Sequence, residues 1–125
     1  MAQTVVVVDD DPGFRSLAGQ LLTESGFTVV GIAVDGHQAV AVARRVRPDI
    51  VLLDVQMPGP DGFWVARQLL AQAAPPAVVL TSGRSSGDYG DARTRCPGVA
   101  GFLAKADLSG PSLRQLIDAL AMTAP

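Results

Sequence analysis

A chain of 125 residues with 48% hydrophobic and 18% charged side chains can bury one substantial core without staples, which excludes a disordered segment and points to a packed domain of common size. Its formal net charge of -2 excludes the basic footprint that direct nucleic-acid binding or attraction to an anionic membrane needs. The single cysteine, Cys96, rules out an internal disulfide. With no leader pattern and no apolar run near the length of a membrane span, the expectation is one cytoplasmic domain over 1–125.

The first predicted element is a strand, VVVV at 5–8, which runs into Asp9, Asp10 and Asp11. Three adjacent carboxylates at the mouth of a buried strand repel one another and lose hydration, so they are either solvated caps or holders of a cation. Asp11 followed by Pro12 is a helix start, and Phe14, Leu17, Ala18, Leu21 and Leu22 repeat at helical spacing up to Gly26, where a C-terminal glycine is expected. This assigns Asp11 to capping and leaves Asp9 and Asp10 for metal.

TVVGIAV at 28–34 is the second strand, and HQAVAVARRV at 37–46 is a weaker helix stopped by Pro48. Arg44, Arg45 and Arg47 read as a solvated helix face, and His37 as a solvated residue near the helix start. The third strand, DIVLLDV at 49–55, contains Asp54 near its end. Pro58, Gly59, Asp61 and Gly62 follow as turn chemistry and a helix cap. Ala66, Leu69, Leu70 and Ala73 then repeat at helical spacing, with Met57 and Trp64 read as packing residues rather than ligands.

AVVLT at 77–81 and AGFLA at 100–104 are the fourth and fifth strands, ending on Thr81 and preceding Lys105, the sole lysine. Between them GRSSGDYGDARTRCPG, residues 83–98, offers a thin apolar stripe and four glycines, so a short or irregular helix is expected there. Leu113, Leu116, Ile117 and Leu120 mark the final helix.

Strict alternation of strand and helix implies right-handed crossovers with helices on both faces of a parallel sheet, a doubly wound α/β domain. The near-continuous apolarity of the first, third and fourth strands fits a sheet covered on both sides. In such folds ligands sit at the carboxyl ends of the strands. Asp9, Asp10, Asp54, Thr81 and Lys105 all fall there. An acid alone at a strand end is an ordinary turn residue and a lone threonine an ordinary strand residue; their company reverses that reading. Clustered carboxylates are an oxygen site for Mg²⁺. Asp54 would be a nucleophile toward a phosphoryl group, whose oxygens Mg²⁺, the Lys105 ammonium and the Thr81 hydroxyl would neutralise or bond. Lys105 is expected to matter for signalling more than for stability.

Four stretches taken together, VVDDD at 7–11, DVQMPGPDG at 54–62, LTS at 80–82 and GFLAK at 101–105, resemble the receiver domains of bacterial two-component response regulators over essentially the whole chain. The resemblance implies a flavodoxin-like (βα)5 fold with strand order 2-1-3-4-5 and a phosphorylation-dependent switch that is not an enzyme beyond its own phosphoryl transfer and slow autodephosphorylation. It makes Asp54 the phosphoacceptor, Asp10 and Asp54 direct Mg²⁺ ligands, Asp9 a ligand through water, the Gln56 carbonyl a backbone ligand, and Thr81 with Phe102 the switch pair. The phosphoryl donor would be a histidine kinase, a phosphotransfer protein or a small acyl phosphate. The downstream protein or fused output domain stays open, as does a homodimer.

The chain departs from that family at two single residues and in the segment 83–98 described above. Ala106 stands where many receivers carry a proline, usually with a cis bond, and Phe102 where tyrosine is common. A haloacid-dehalogenase-like phosphohydrolase would need a DxD nucleophile after the first strand and usually a cap domain; a flavodoxin-like cofactor binder would need a Ser/Thr/Gly-rich loop there. Neither is present. The alternative that stays open is a pseudo-receiver that binds partners without control by phosphorylation, although the intact acid set argues against it.

Overall fold

The computed structural model describes residues 3–83 and 96–123. In chain order the elements are β1 (Thr4–Val8), α1 (Pro12–Glu24), β2 (Thr28–Ala33), α2 (Gly36–Val46), β3 (Ile50–Asp54), α3 (Gly62–Leu70), β4 (Ala77–Ser82), β5 (Gly101–Ala104), a single 3-10 turn (Lys105–Asp107) and α4 (Gly110–Thr123). The five strands form one all-parallel sheet in the order β2-β1-β3-β4-β5, the flavodoxin-like order that the resemblance implied. The irregular helix expected between β4 and β5 lies, for residues 84–95, outside the described residues.

The valine run explains itself once the sheet is assembled. Successive strand side chains point to opposite faces, and both faces here are covered. Val5 and Val7 join Phe14, Ala18 and Leu22 of α1 and Leu113 of α4 on one side. Val6 and Val8 join Ala39, Val40 and Ala43 of α2 and Phe63, Val65, Ala66 and Leu69 of α3 on the other. All four valines are essentially inaccessible to water. At about 1.5 kcal/mol or more per buried valine, this burial offsets the cost of ending the strand on acids.

Local signals set the helix ends. Asp11 caps α1, its carboxylate accepting from the Gly13 N–H with Pro12 in the first turn. The helix closes with Gly26 at φ +90°, while the N–H groups of Gly26 and Phe27 reach back to the carbonyls of Thr23 and Leu22 at 3.2 and 3.0 Å. Only a left-handed residue allows this reversal without strain, hence glycine. Asp35 and Asp61 cap α2 and α3 in the same way, accepting from Gln38 and Trp64. Ser109 and Ser112 exchange side-chain to backbone bonds at the start of α4.

One predicted boundary is corrected. α3 stops at Leu70, so Ala73 lies beyond it and is exposed. Pro75 and Pro76 follow after Ala74, and a proline disfavours the helical region for the residue before it, so the helix could not have run far past Ala73 in any case; the apolar spacing that included Ala73 was incidental. Among the described residues no helix is long and apolar enough to cross a membrane.

Candidate functional site

Because all strands run in parallel, their carboxyl ends share one edge of the sheet, and polar side chains reach it from the ends of β1, β3 and β4 and from the residue after β5. At the end of β1 the Asp9 N–H still donates to the Ala33 carbonyl of β2 at 3.1 Å, which anchors a carboxylate that is 0% exposed. Its Oδ1 accepts from the Asp11 N–H at 2.9 Å, and its Oδ2 pairs with Lys105 Nζ at 2.7 Å. Asp10, next in the chain, is exposed. The triplet therefore divides three ways, into a buried acid, a surface acid and a helix cap.

Asp54 closes β3 and is 3% exposed. Its Oδ1 accepts from the Gln56 N–H at 3.0 Å, and its Oδ2 lies 3.3 Å from Lys105 Nζ. Carboxylate oxygens of Asp9, Asp10 and Asp54 lie within 4.8 Å of one another. Burial is the largest influence on Asp54 and pushes its carboxyl above the ordinary range; the Gln56 N–H and the Lys105 ammonium oppose it, while the Asp9 charge reinforces it. Lys105 shows the reverse balance. Burial alone would lower it, yet the contacts with Asp9 and Asp54 outweigh that and hold it above the ordinary lysine value.

The loop after Asp54 returns tightly. The Gly62 N–H donates to the Val55 carbonyl at 3.2 Å, and a Cβ on Gly62 would overlap the Asp54 carbonyl oxygen and sit 2.6 Å from Val55 Cα. Glycine at the start of α3 is thus a steric requirement of the site. Gly59, at φ +74°, makes the turn before it.

Thr81 pairs with Asp54 across β3 and β4 and is 1% exposed. Its Oγ1 is buried with no hydrogen-bond partner among the described residues, a costly state for a hydroxyl that its position beside the acids explains if an oxygen ligand is to arrive there. Phe102 stands on β5 opposite Leu80, one position before the partner of Thr81. It is half-buried and packs against the face covered by α2 and α3. Gln56 presents its N–H to the Asp54 carboxylate while its side chain is exposed. Ala106 lies in the 3-10 turn, and no cis peptide bond occurs among the described residues.

The residues read as structural take such places. Met57 and Trp64 pack against the core. His37 is exposed and meets the Trp64 ring edge-on at 5.5 Å. Arg44, Arg45 and Arg47 are exposed. Two residues of the site have no motif signature. Arg15 Nη1 donates to the Asp9 carbonyl at 2.7 Å, and the Phe14 ring lies 4.7 Å from Lys105 Nζ. Helical spacing had accounted for Phe14 as core alone; only its proximity in sequence to the acids hinted at more.

The donor set fits a hard divalent cation. Its side chains offer carboxylate oxygens from one surface acid and two buried ones, hard donors of the kind Mg²⁺ takes while keeping waters.

Comparison with known proteins agrees with this geometry. Residues 5–118 match the family described as the response regulator receiver domain. The DNA-binding response regulator MtrA of Mycolicibacterium smegmatis is 43% identical over 82 residues, covering 66% of this chain and 36% of that protein. Protein-glutamate methylesterase/protein-glutamine glutaminase 1 of Vibrio vulnificus is 33% identical over 106 residues, covering 84% of this chain and 28% of that protein. The chain thus spans well under half the length of these curated relatives. The signal receiver domain of the response regulator NarL from Mycobacterium tuberculosis superposes with a TM-score of 0.82 at 34% identity, covering 98% of each chain. A family match over residues 5–118, joined by a shared fold with a receiver domain 34% identical over 98% of this chain, places this chain in the response regulator receiver domain family.

Proposed function

We propose that the chain works as one receiver domain, a switch in which Asp54 accepts a phosphoryl group from a histidine kinase, a phosphotransfer protein or a small acyl phosphate. The observation that carries this reading is the Lys105 ammonium set between Asp9 and Asp54, at 2.7 and 3.3 Å, beside three carboxylates within 4.8 Å. A carboxylate oxygen of Asp54 attacks phosphorus, a new O–P bond forms, and the bond to the donor breaks with its electron pair leaving on the donor. Asp10 and Asp54 would hold Mg²⁺ directly, Asp9 through water, and the Gln56 carbonyl would complete the protein ligands. That ion would supply charge neutralisation for the phosphoryl oxygens.

The chain's own groups do the rest. Lys105 exchanges part of its pairing with Asp9 for the new anion, and the Thr81 hydroxyl, buried without a partner, donates to a phosphoryl oxygen. Movement of Thr81 opens room beside Phe102, whose ring shifts between its half-buried place and a more enclosed one. The output is a changed surface rather than a turnover reaction, read by a downstream protein or a fused domain. The relatives named above are a DNA-binding response regulator and a methylesterase/glutaminase, two different effectors joined to similar receivers.

Intact mass spectrometry after incubation with acetyl phosphate and Mg²⁺ tests the reading. One added phosphoryl group is expected, absent from Asp54→Asn and from a sample with chelator. No uptake by the unaltered chain, or normal uptake by the variant, overturns it.

A further inference from the structure

Lys105 is the sole lysine of the chain, and its ammonium is flanked by three partners rather than two. Asp9 Oδ2 lies at 2.7 Å and Asp54 Oδ2 at 3.3 Å; the third partner is the Phe14 ring, with its centroid at 4.7 Å. Phe14 is 8% exposed, in the first turn of α1, a helix that Asp11 and Pro12 start immediately after the acids. The chemistry of these partners differs. A carboxylate oxygen holds an ammonium at one point, whereas the face of an aromatic ring attracts a cation over a broad area without a directional bond.

A lysine that must lean toward Asp9 in one state and toward an anion on Asp54 in another needs a partner that follows it. The two carboxylates alone would leave it at the nearer one. A ring above the ammonium keeps it at the mouth of the site, excludes water from that side and lets it slide.

We propose that Phe14 is a positioning residue for Lys105, holding the ammonium by cation–π attraction so that it can shift from Asp9 to an anionic group bound at Asp54. The contact itself stands on the geometry; its consequence rests on the acceptor reading of Asp54 given above. A plain core role for Phe14 would depend on its shape and not on the charge distribution of its ring.

Fluorination separates these two. Fluorine atoms withdraw electron density from the ring face while nearly preserving its size, so a series of phenylalanine, 4-fluoro-, 3,5-difluoro- and 3,4,5-trifluorophenylalanine installed at position 14 alone weakens cation–π attraction stepwise. The full chain, carrying ¹³C-labelled lysine, reports through one side-chain resonance set because it has one lysine. Titration with beryllofluoride in the presence of Mg²⁺, followed on those resonances, should show affinity falling along the series, by about threefold to tenfold at the trifluoro ring. An affinity that stays level along the series overturns the positioning role.

A second measurement needs no ligand. In the unligated chain the Lys105 ε-protons should be shielded by the ring, and Phe14→Leu should move them downfield. Unmoved protons in that variant overturn the contact. Failure of the acceptor reading looks different: beryllofluoride would then leave the lysine resonances unchanged in every chain of the series and in Asp54→Asn, while the shielding by Phe14 would remain.

Discussion

Asp54 is a carboxylate asked to be both buried and charged, and its neighbours decide how far it succeeds. Replacing it with asparagine removes the nucleophile together with its repulsion of Asp9, so Asp54→Asn should take up no phosphoryl group on intact mass while melting at or above the temperature of the parent. Lys105 is a different case. The sequence suggested a residue for signalling more than stability, but the structure makes it the charge partner of Asp9, whose carboxylate is inaccessible to water. Lys105→Met would leave that charge unpaired. The expected loss is about 2–3 kcal/mol in urea unfolding, below the range for a fully buried pair because the lysine side chain is 21% exposed. The folded lysine is held above its ordinary value, so its contribution is complete below the ordinary lysine range and is lost as pH rises through and above it. Parent and variant stabilities should therefore converge only at strongly alkaline pH.

The helices and loops divide the acids among separate tasks. Asp11 belongs to α1, and Asp11→Ala should cost about 1 kcal/mol through the lost cap while leaving Mg²⁺ binding intact. Asp10→Ala should do the opposite, changing stability little without metal and abolishing the metal response. Calorimetric titration of the two variants distinguishes them, and a metal response lost with Asp11 would contradict the division. The loop between β3 and α3 carries a steric condition as well. Gly62→Ala drives a Cβ into the Asp54 carbonyl and toward Val55 Cα. Both are backbone atoms and yield little, so a loss on the order of 1–3 kcal/mol and slower labelling by acetyl phosphate are expected. Such caps and turns were legible in the sequence because aspartate before a helix and glycine at a reversal act within a few residues. The end of α3 was less so, since Ala73 kept the helical spacing although the helix stops at Leu70.

At the scale of the whole molecule, metal binding, folding and pH are linked. A cation bound only by the folded state stabilises it by about 2.7 kcal/mol at a concentration one hundredfold above its dissociation constant, which in a domain of this size is a melting shift on the order of 8 °C. Because burial holds the Asp54 carboxyl above the ordinary value of 3.8, protonation there competes with the metal earlier than at an exposed acid. The Mg²⁺-dependent shift should shrink as pH falls toward that value. Without metal the sign reverses: the fold binds more protons than the open chain just above the ordinary carboxylate range, so Asp54 should lower stability as pH rises through that window. The sequence by itself determined the layered α/β alternation and hence the meeting place of Asp9, Asp10, Asp54, Thr81 and Lys105, because parallel strands put all their carboxyl ends on one edge. It also assigned Asp11 to the helix cap, a local matter. Only the tertiary structure decided that Asp9 is sealed and Asp10 exposed, that one ammonium serves two carboxylates, that Gly62 must lack a side chain, and that Phe14 faces Lys105. These are contacts between distant parts of the chain, such as Lys105 and Asp54, 51 positions apart, and depth and distance of that kind follow from how helices and strands pack, which leaves no local pattern to read.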